Sequence, residues 1–210
     1  MNCWSRERQL FRDGPEADAF SQHAQIWSVI SGTVQEEQAQ TLILRMMKDD
    51  TLPAVSYAMS YFLFRALSAS GLYRHSFEMW DIWRRLASLN LTTWVEDPVS
   101  QRSDCHAWGA VPLYEFTAEI LGVKPAEPGF KRIRVAPQTG HLTWAKGEVA
   151  TPHGNVKVEW YVESSNKFSL ALDGPPLIPV EIVLPNGERM EIPEAKRFGI
   201  TVNLHEAMRA

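Results

Sequence analysis

The sequence predicts an α+β protein of two domains, with helices first and an antiparallel β-sandwich after them. Three observations carry this. Up to about residue 121 the apolar residues recur at helical spacing, whereas Val123 to Gly129, with Pro125 and Pro128, breaks the pattern. From Ile133 onward apolar and polar residues alternate with a period of two, in short runs bounded by turn residues. Helices followed by strands, rather than interleaved with them, exclude a βαβ organisation. The expected divisions are 1–122, a linker at 123–129, and 130–210.

Residues 1 to 15 carry no periodicity, and Asp13-Gly14-Pro15 reads as a turn. A first helix from Glu16 places Phe20, Ala24, Trp27 and Ile30 on one face and ends near Ser31-Gly32, with glycine as its C-terminal cap. A second runs from Gln35 through Leu42, Leu44, Met46 and Met47 to Asp49-Asp50. Thr51-Leu52-Pro53 opens a third, whose broad apolar face of Val55, Met59, Phe62, Leu63, Ala66 and Leu67 stops at Gly71. The fourth spans about Arg74 to Ser88 with Phe77, Trp80, Ile82, Trp83 and Leu86, and the fifth about Cys105 to Leu121, capped by Gly122. Short loops between successive helices imply antiparallel neighbours.

Seven short strands follow. Val156, Val158, Trp160 and Val162 alternate with Lys157, Glu159, Tyr161 and Glu163, the pattern of a half-buried strand. Ser164 to Lys167 turns the chain back into Phe168 to Leu172. Val180 to Leu184 and Arg189 to Ile192 flank Pro185-Asn186-Gly187-Glu188, where Asn-Gly is a strong hairpin signal. Ile133 to Val135, Leu142 to Ala145 and Gly199 to Val202 complete a count that fits a β-sandwich. His141 and His153 stand alone there and read as surface histidines.

With 210 residues, 45% hydrophobic and 22% charged, the composition is that of a globular protein. A net charge of −4 with scattered basic residues argues against nucleic acid and against membrane surfaces as partners. The N-terminus has no apolar core for a signal peptide and no run of membrane-spanning length follows, so a cytoplasmic location is expected. Cys3 and Cys105 are far apart with no CxxC pair, which argues against a zinc ribbon or a disulfide framework. Trp4, Trp27, Trp80, Trp83, Trp94 and Trp108 all precede residue 110, and core filling is the expected use of most of them.

The chemistry concentrates between the two halves, in Leu91 to Pro98 and Arg102 to Gly109. Pro98 and Ser100 to Ser103 exclude a helix, while Ser103 or Asp104 is placed to cap one beginning near Cys105. Glu96, set among Trp94, Trp108 and facing helices, would be partly desolvated, which raises a carboxyl's pKa and suits it to take a proton from water. A solvated loop glutamate is the plain alternative. His106 at a helix start could donate to a sugar hydroxyl or simply bond a nearby carbonyl. Cys105 and His106, being adjacent, cannot form a nucleophile–base pair with each other on a helix. A metal site from Glu96, Asp104 and His106 lacks the usual ligand spacing, so no metal and no cofactor is expected.

Thr92-Thr93-Trp94-Val95-Glu96, followed by Ser103-Asp104-Cys105-His106-Ala107-Trp108-Gly109-Ala110-Val111-Pro112-Leu113-Tyr114, resembles the end of the catalytic barrel of bacterial and fungal α-L-rhamnosidases of the inverting (α/α)6 type. Phe20 to Ala24 is similar to an earlier barrel helix. Leu142 to Ala145 and Thr151 to Gly154 are similar to the β-sandwich that follows the barrel. The resemblance implies an incomplete helical barrel of about five helices, L-rhamnose-containing glycosides as substrate, Glu96 as general base, and His106 with Trp94 and Trp108 as sugar-binding residues. It also implies that the general acid belongs to the first half of the barrel, upstream of anything in this chain.

An inverting hydrolase needs two carboxyls about 6.5–9.5 Å apart. The resemblance gives neither Asp97 nor Asp104 the acid's role, so a chain inactive alone is the expectation. The missing first half of the barrel is then an expected partner, and self-association through uncovered apolar helix faces is expected as well. A non-catalytic carbohydrate-binding or structural remnant and one subunit of a split enzyme are the alternatives.

Overall fold

Residues 2–97 and 103–204 are described by the computed structural model, and the reading of Pro98 and Ser100 to Arg102 as non-helical falls outside them. Two compact units divide the chain, Met1–Val111 and Pro112–Ala210. No helix among the described residues is long and apolar enough to cross a membrane.

The first unit is an incomplete helical barrel. It opens with two very short strands, β1 (Trp4–Ser5) and β2 (Leu10–Phe11), paired antiparallel as Trp4 with Phe11 and Ser5 with Leu10. Strands of two residues are too short to show a period, and residues 1 to 15 accordingly carry none. Helix α1 (Gln22–Ile30) holds them: the buried Gln25 amide accepts from the Phe11 N–H at 2.7 Å and donates to the Phe11 carbonyl at 2.8 Å.

That pairing also corrects the expected face of α1. Gln25, Ile26, Ser28 and Val29 are buried, whereas Trp27 is 44% exposed and packs its ring against Phe62 at 4.7 Å. A buried amide with both groups bonded costs little, so polar Gln25 can take a core position that an apolar count gives to its neighbours. The helix begins at Gln22 rather than Glu16 and stops before Gly32, whose φ of +72° suits glycine.

Helix α2 (Glu36–Met47) follows its sequence closely. Ala39, Leu42, Ile43 and Met46 are buried at helical spacing, with Glu36 and Glu37 at the positive end of the helix dipole and Arg45 at the negative end. Helix α3 (Tyr57–Ala69) is capped by Ser56, whose hydroxyl accepts from the Met59 N–H at 3.4 Å. The expected fourth helix is a 3-10 segment, Tyr73–Trp80, running directly into α4 (Asp81–Ser88). Phe64 stacks on Trp80 at 5.2 Å and meets Trp83 at 5.9 Å, and both tryptophans are buried, as core filling requires.

The fifth helix is shorter than expected. A 3-10 turn at Ala107–Gly109 precedes α5 (Val111–Glu115), which continues as a π-helical turn, Phe116–Ile120. Cys105 and His106 are not helical, because the His106 N–H is already bonded to the Trp94 carbonyl at 2.7 Å.

The second unit is sandwich-like, built on two open four-stranded sheets. One is ordered β3 (Val123–Pro125), β4 (Ile133–Val135), β8 (Val180–Val183), β9 (Arg189–Ile192), and the other β10 (Phe198–Asn203), β7 (Lys167–Asp173), β6 (Gly154–Val162), β5 (Trp144–Thr151). The pairing is antiparallel except between β4 and β8, which run parallel because the chain leaves β4, builds β5 to β7, and then returns. Val123–Pro125, in the segment read as a linker, is itself an edge strand, where proline lacks no ladder hydrogen bond.

Register puts the apolar rows on one side. Val158 opposes Leu172 and Trp160 opposes Leu170, all buried, and the Trp160 indole donates to the Ile120 carbonyl at 2.9 Å. Strand β5 runs on to Thr151, beyond the expected Ala145, because none of its residues is fully buried and its pattern is therefore weak.

Two outcomes test this account. Gly122 has a φ of +82°, and a Cβ there would lie 2.3 Å from the Ala136 carbonyl carbon, whereas Gly187, at +88°, faces open space. Gly122→Ala should therefore cost about 2 kcal/mol or more and Gly187→Ala about 1 kcal/mol, read by thermal denaturation, and equal costs would contradict the close approach. The Arg134 guanidinium bonds Glu181 at 3.1 and 2.8 Å across β4 and β8 and holds its carboxyl below the usual range. A depressed carboxyl stabilises above its unfolded pKa, about 4.3, and that contribution is lost as pH falls through the folded value. The stability gap between the native chain and Glu181→Gln, at most about 1 kcal/mol given the exposure of Arg134, should close on acidification below that value.

Candidate functional site

The site rests on a short backbone ladder. The Glu96 N–H donates to the Ser103 carbonyl at 2.9 Å and the His106 N–H to the Trp94 carbonyl at 2.7 Å, while the Thr93 hydroxyl donates to the Asp104 carbonyl. The two arms of the connection thus run antiparallel. Val95, fully buried, anchors one arm in the core of the first unit.

Glycine at 109 allows the closing contact. A Cβ there would lie 2.9 Å from the Trp94 Cβ and 3.1 Å from the Val95 carbonyl oxygen, so the 3-10 turn can approach the ladder only without a side chain. The Gly109 carbonyl accepts from the Trp83 indole at 2.8 Å, a buried bond that ties the turn to α4. Three packed elements therefore fix where Glu96 and His106 stand.

Glu96 and His106 are brought together, with His106 Nδ1 3.8 Å from Glu96 Oε2 and the side chains 24% and 19% exposed respectively. That spacing is an ion-pair separation and too long for a hydrogen bond. The Trp108 ring meets the His106 ring edge-on at 4.8 Å. Glu96, Asp97 and Trp108 line a cleft of about 550 Å³, whose other wall is Ser56, Ala58, Met59, Tyr61 and Phe62 around the start of α3. Trp94 does not line it; its Cβ lies instead against Gly109.

The surroundings are partly apolar and partly charged. At the start of α3, burial pushes the Tyr57 phenol above its ordinary pKa, Arg85 opposing and Asp97 adding to the effect. Cys105 is an exposed free thiol, and among the described residues no three His, Cys, Asp or Glu side chains converge to hold a metal ion. A larger hollow of about 680 Å³ lies between the N-terminal strands and α2, lined by Trp4, Arg6, Glu37 and Arg45 among others. It contains no paired acid and histidine, so volume alone does not select the site.

Sequence reasoning missed the α3 wall, having placed Met59 and Phe62 on one broad apolar face with Leu63, Ala66 and Leu67. The signal was present in the width of that apolar face. Observed burial is confined to Tyr57, Ser60, Leu63, Phe64, Ala66 and Leu67, so Met59 and Phe62 lie at the edge of the stripe and can face the cleft.

The fold, an incomplete helical barrel followed by a sandwich-like β-unit, is rhamnosidase-like. Residues 122–199 match the family described as the bacterial alpha-L-rhamnosidase C-terminal domain. An alpha-L-rhamnosidase of Alteromonas sp. (strain LOR) is 34% identical over 104 residues, which is 49% of this chain and 11% of that protein. The structure of a GH78 family rhamnosidase of Bacillus sp. GL1 aligns with 88% of this chain and 22% of its own, at 28% identity and a TM-score of 0.79. The native α-L-rhamnosidase of Aspergillus terreus shares the fold, with a TM-score of 0.75 at 23% identity over 89% of this chain and 24% of that one. The chain thus spans less than a quarter of the length of each of these three relatives.

If the ladder is held as described, Gly109→Ala should destabilise the first unit by about 1–3 kcal/mol through overpacking. Trp83→Phe, which removes the indole donor, should cost about 1 kcal/mol. Denaturant midpoints check both, and unchanged midpoints would show that neither contact holds the turn.

Proposed function

We propose that this chain is the C-terminal portion of a glycoside hydrolase that removes terminal α-L-rhamnose with inversion, Glu96 being its general base. What supports the reading is that Glu96 and Trp108 line one cleft and that the His106 ring meets both of them, its Nδ1 3.8 Å from Glu96 Oε2. In this mechanism Glu96 takes a proton from water as the water oxygen bonds to the anomeric carbon from the face opposite the leaving group. The glycosidic C–O bond breaks, and the departing oxygen takes its proton from a second carboxyl. His106 and Trp108 hold the sugar, the first through a ring nitrogen and the second through its exposed indole face. Trp94 acts from behind, by setting the position of the ladder.

Asp97 directly follows Glu96 and lines the same cleft, and in this reading it is not given the acid's role. The acid, in this reading, belongs to a part of the protein other than the described residues. This fits a chain spanning 11% to 24% of the relatives compared. The exposed Trp27, Ile82 and Leu89 agree with a helical unit that another segment covers.

Calorimetric titration of the chain with methyl α-L-rhamnoside should detect binding that Glu96→Gln preserves and His106→Ala weakens about tenfold. Without its acid the chain should leave natural rhamnosides intact and show residual turnover first on an aryl rhamnoside with a good leaving group, about 10²- to 10⁴-fold below an enzyme with both groups. In an enzyme completed with the acid-bearing half, Glu96→Gln should nearly abolish turnover, and nuclear magnetic resonance should find the inverted anomer first. Retention of configuration, or a fully active Glu96→Gln enzyme, would refute the role of Glu96.

A further inference from the structure

The outward side of the β5–β6–β7–β10 sheet is unlike an ordinary solvated sheet face. Register arranges it in rows. The first row runs Trp144, Tyr161, Ser169, Thr201, and the second Lys146, Glu159, Ala171, Gly199. Two large rings thus stand side by side on the two strands at one edge, 59% and 46% exposed. On the neighbouring strands the same rows carry two hydroxyls and two of the smallest residues.

The difference in side-chain size cuts a trough across the sheet. Two adjoining hollows of about 450 and 660 Å³ share Glu159, Ala171 and Gly199 and so form one continuous depression. Its polar groups are already ordered. Lys146 pairs with Glu159 at 3.2 Å, the Tyr161 hydroxyl donates to Glu159, and the Ser169 and Thr201 hydroxyls bond each other at 3.0 Å.

The charges lining the depression balance, with Lys146, Lys157 and Arg197 against Glu148, Glu159 and Asp173. A balanced field disfavours nucleic acid and acidic polymers, which need a surplus of positive charge. Exposed rings beside a floor of small residues, with hydroxyls and held carboxylates at hydrogen-bonding height, suit a ligand that has apolar ring faces and equatorial or axial hydroxyls and no charge.

We propose that this face binds a neutral saccharide chain, one sugar ring stacking on Trp144 and Tyr161 and the next lying in the trough over Ala171 and Gly199. The surface belongs wholly to the second unit and does not depend on Glu96. It makes that unit a glycan-holding module.

The test is calorimetric titration of the full chain, its first-unit cleft saturated with methyl α-L-rhamnoside, with two uncharged probes, a linear rhamnose tetrasaccharide and cellotetraose, at low salt and at 0.5 M salt. Binding of at least one probe, little changed by salt, is expected. Trp144→Ala and Tyr161→Ala should each weaken it about tenfold or more. Ala171→Arg keeps both rings but fills the floor, and should abolish it. All three positions are exposed, and circular dichroism should report a native fold. Failure of both probes to bind overturns the proposal, as does binding that survives all three substitutions. Binding lost in Trp108→Ala but kept in Trp144→Ala would place the saccharide in the cleft of the first unit and likewise overturn it.

Discussion

The candidate site depends on one buried hydrogen bond, from the Trp83 indole to the Gly109 carbonyl. Through it α4 holds the 3-10 turn, and through the absence of a side chain at Gly109 the turn presses on Trp94 and Val95. The ladder between Trp94–Glu96 and Ser103–His106 then places a carboxylate and an imidazole within ion-pair distance. A connection without regular secondary structure would ordinarily be mobile. Here the Glu96 and His106 N–H groups are satisfied by the opposite arm and Val95 by the core, which holds the Glu96 carboxylate and the His106 ring in place.

The second unit repeats the device. Trp160 lies fully buried in the middle of β6, and its indole donates to the Ile120 carbonyl at the end of the π-helical turn. In each unit a large ring supplies apolar packing while its N–H satisfies a carbonyl that a helical turn leaves unpaired. Leu121 fits over Gly147 of β5 directly afterwards, so the turn and the sheet are joined on both sides of the indole. This explains why residues after Pro112 group with the sheets although they begin as a helix.

The inward and outward sides of the β5–β6–β7–β10 sheet show how one alternating pattern serves two purposes. Val156, Val158 and Trp160 are committed to the core, and their neighbours Lys157, Glu159 and Tyr161 are forced to the other side by the pleat. Cross-strand register then decides what those outward residues stand beside. Tyr161 meets Trp144 on one flank and Ser169 on the other, which makes an aromatic ledge next to a shallow floor.

Much of this was legible in the sequence. The change of hydrophobic period, the glycine stop after α1, the existence of α2, the Asn-Gly hairpin and the alternation of β6 and β7 are local consequences of backbone geometry, and a linear chain displays them. The chemically dense connection holding Glu96, His106 and Trp108 could also be singled out, because residue types and spacing carry that information. What the sequence could not decide was partnership. Whether Gln25 or Trp27 faces the core depended on a strand partner at Phe11, and whether Cys105 and His106 are helical on a carbonyl at Trp94. The parallel pairing of β4 with β8 and the pressing of Gly109 on Trp94 likewise arise between residues distant along the chain. Periodicity reports what each segment can do by itself; which of its groups are satisfied, and by whom, is settled only when the chain has closed on itself.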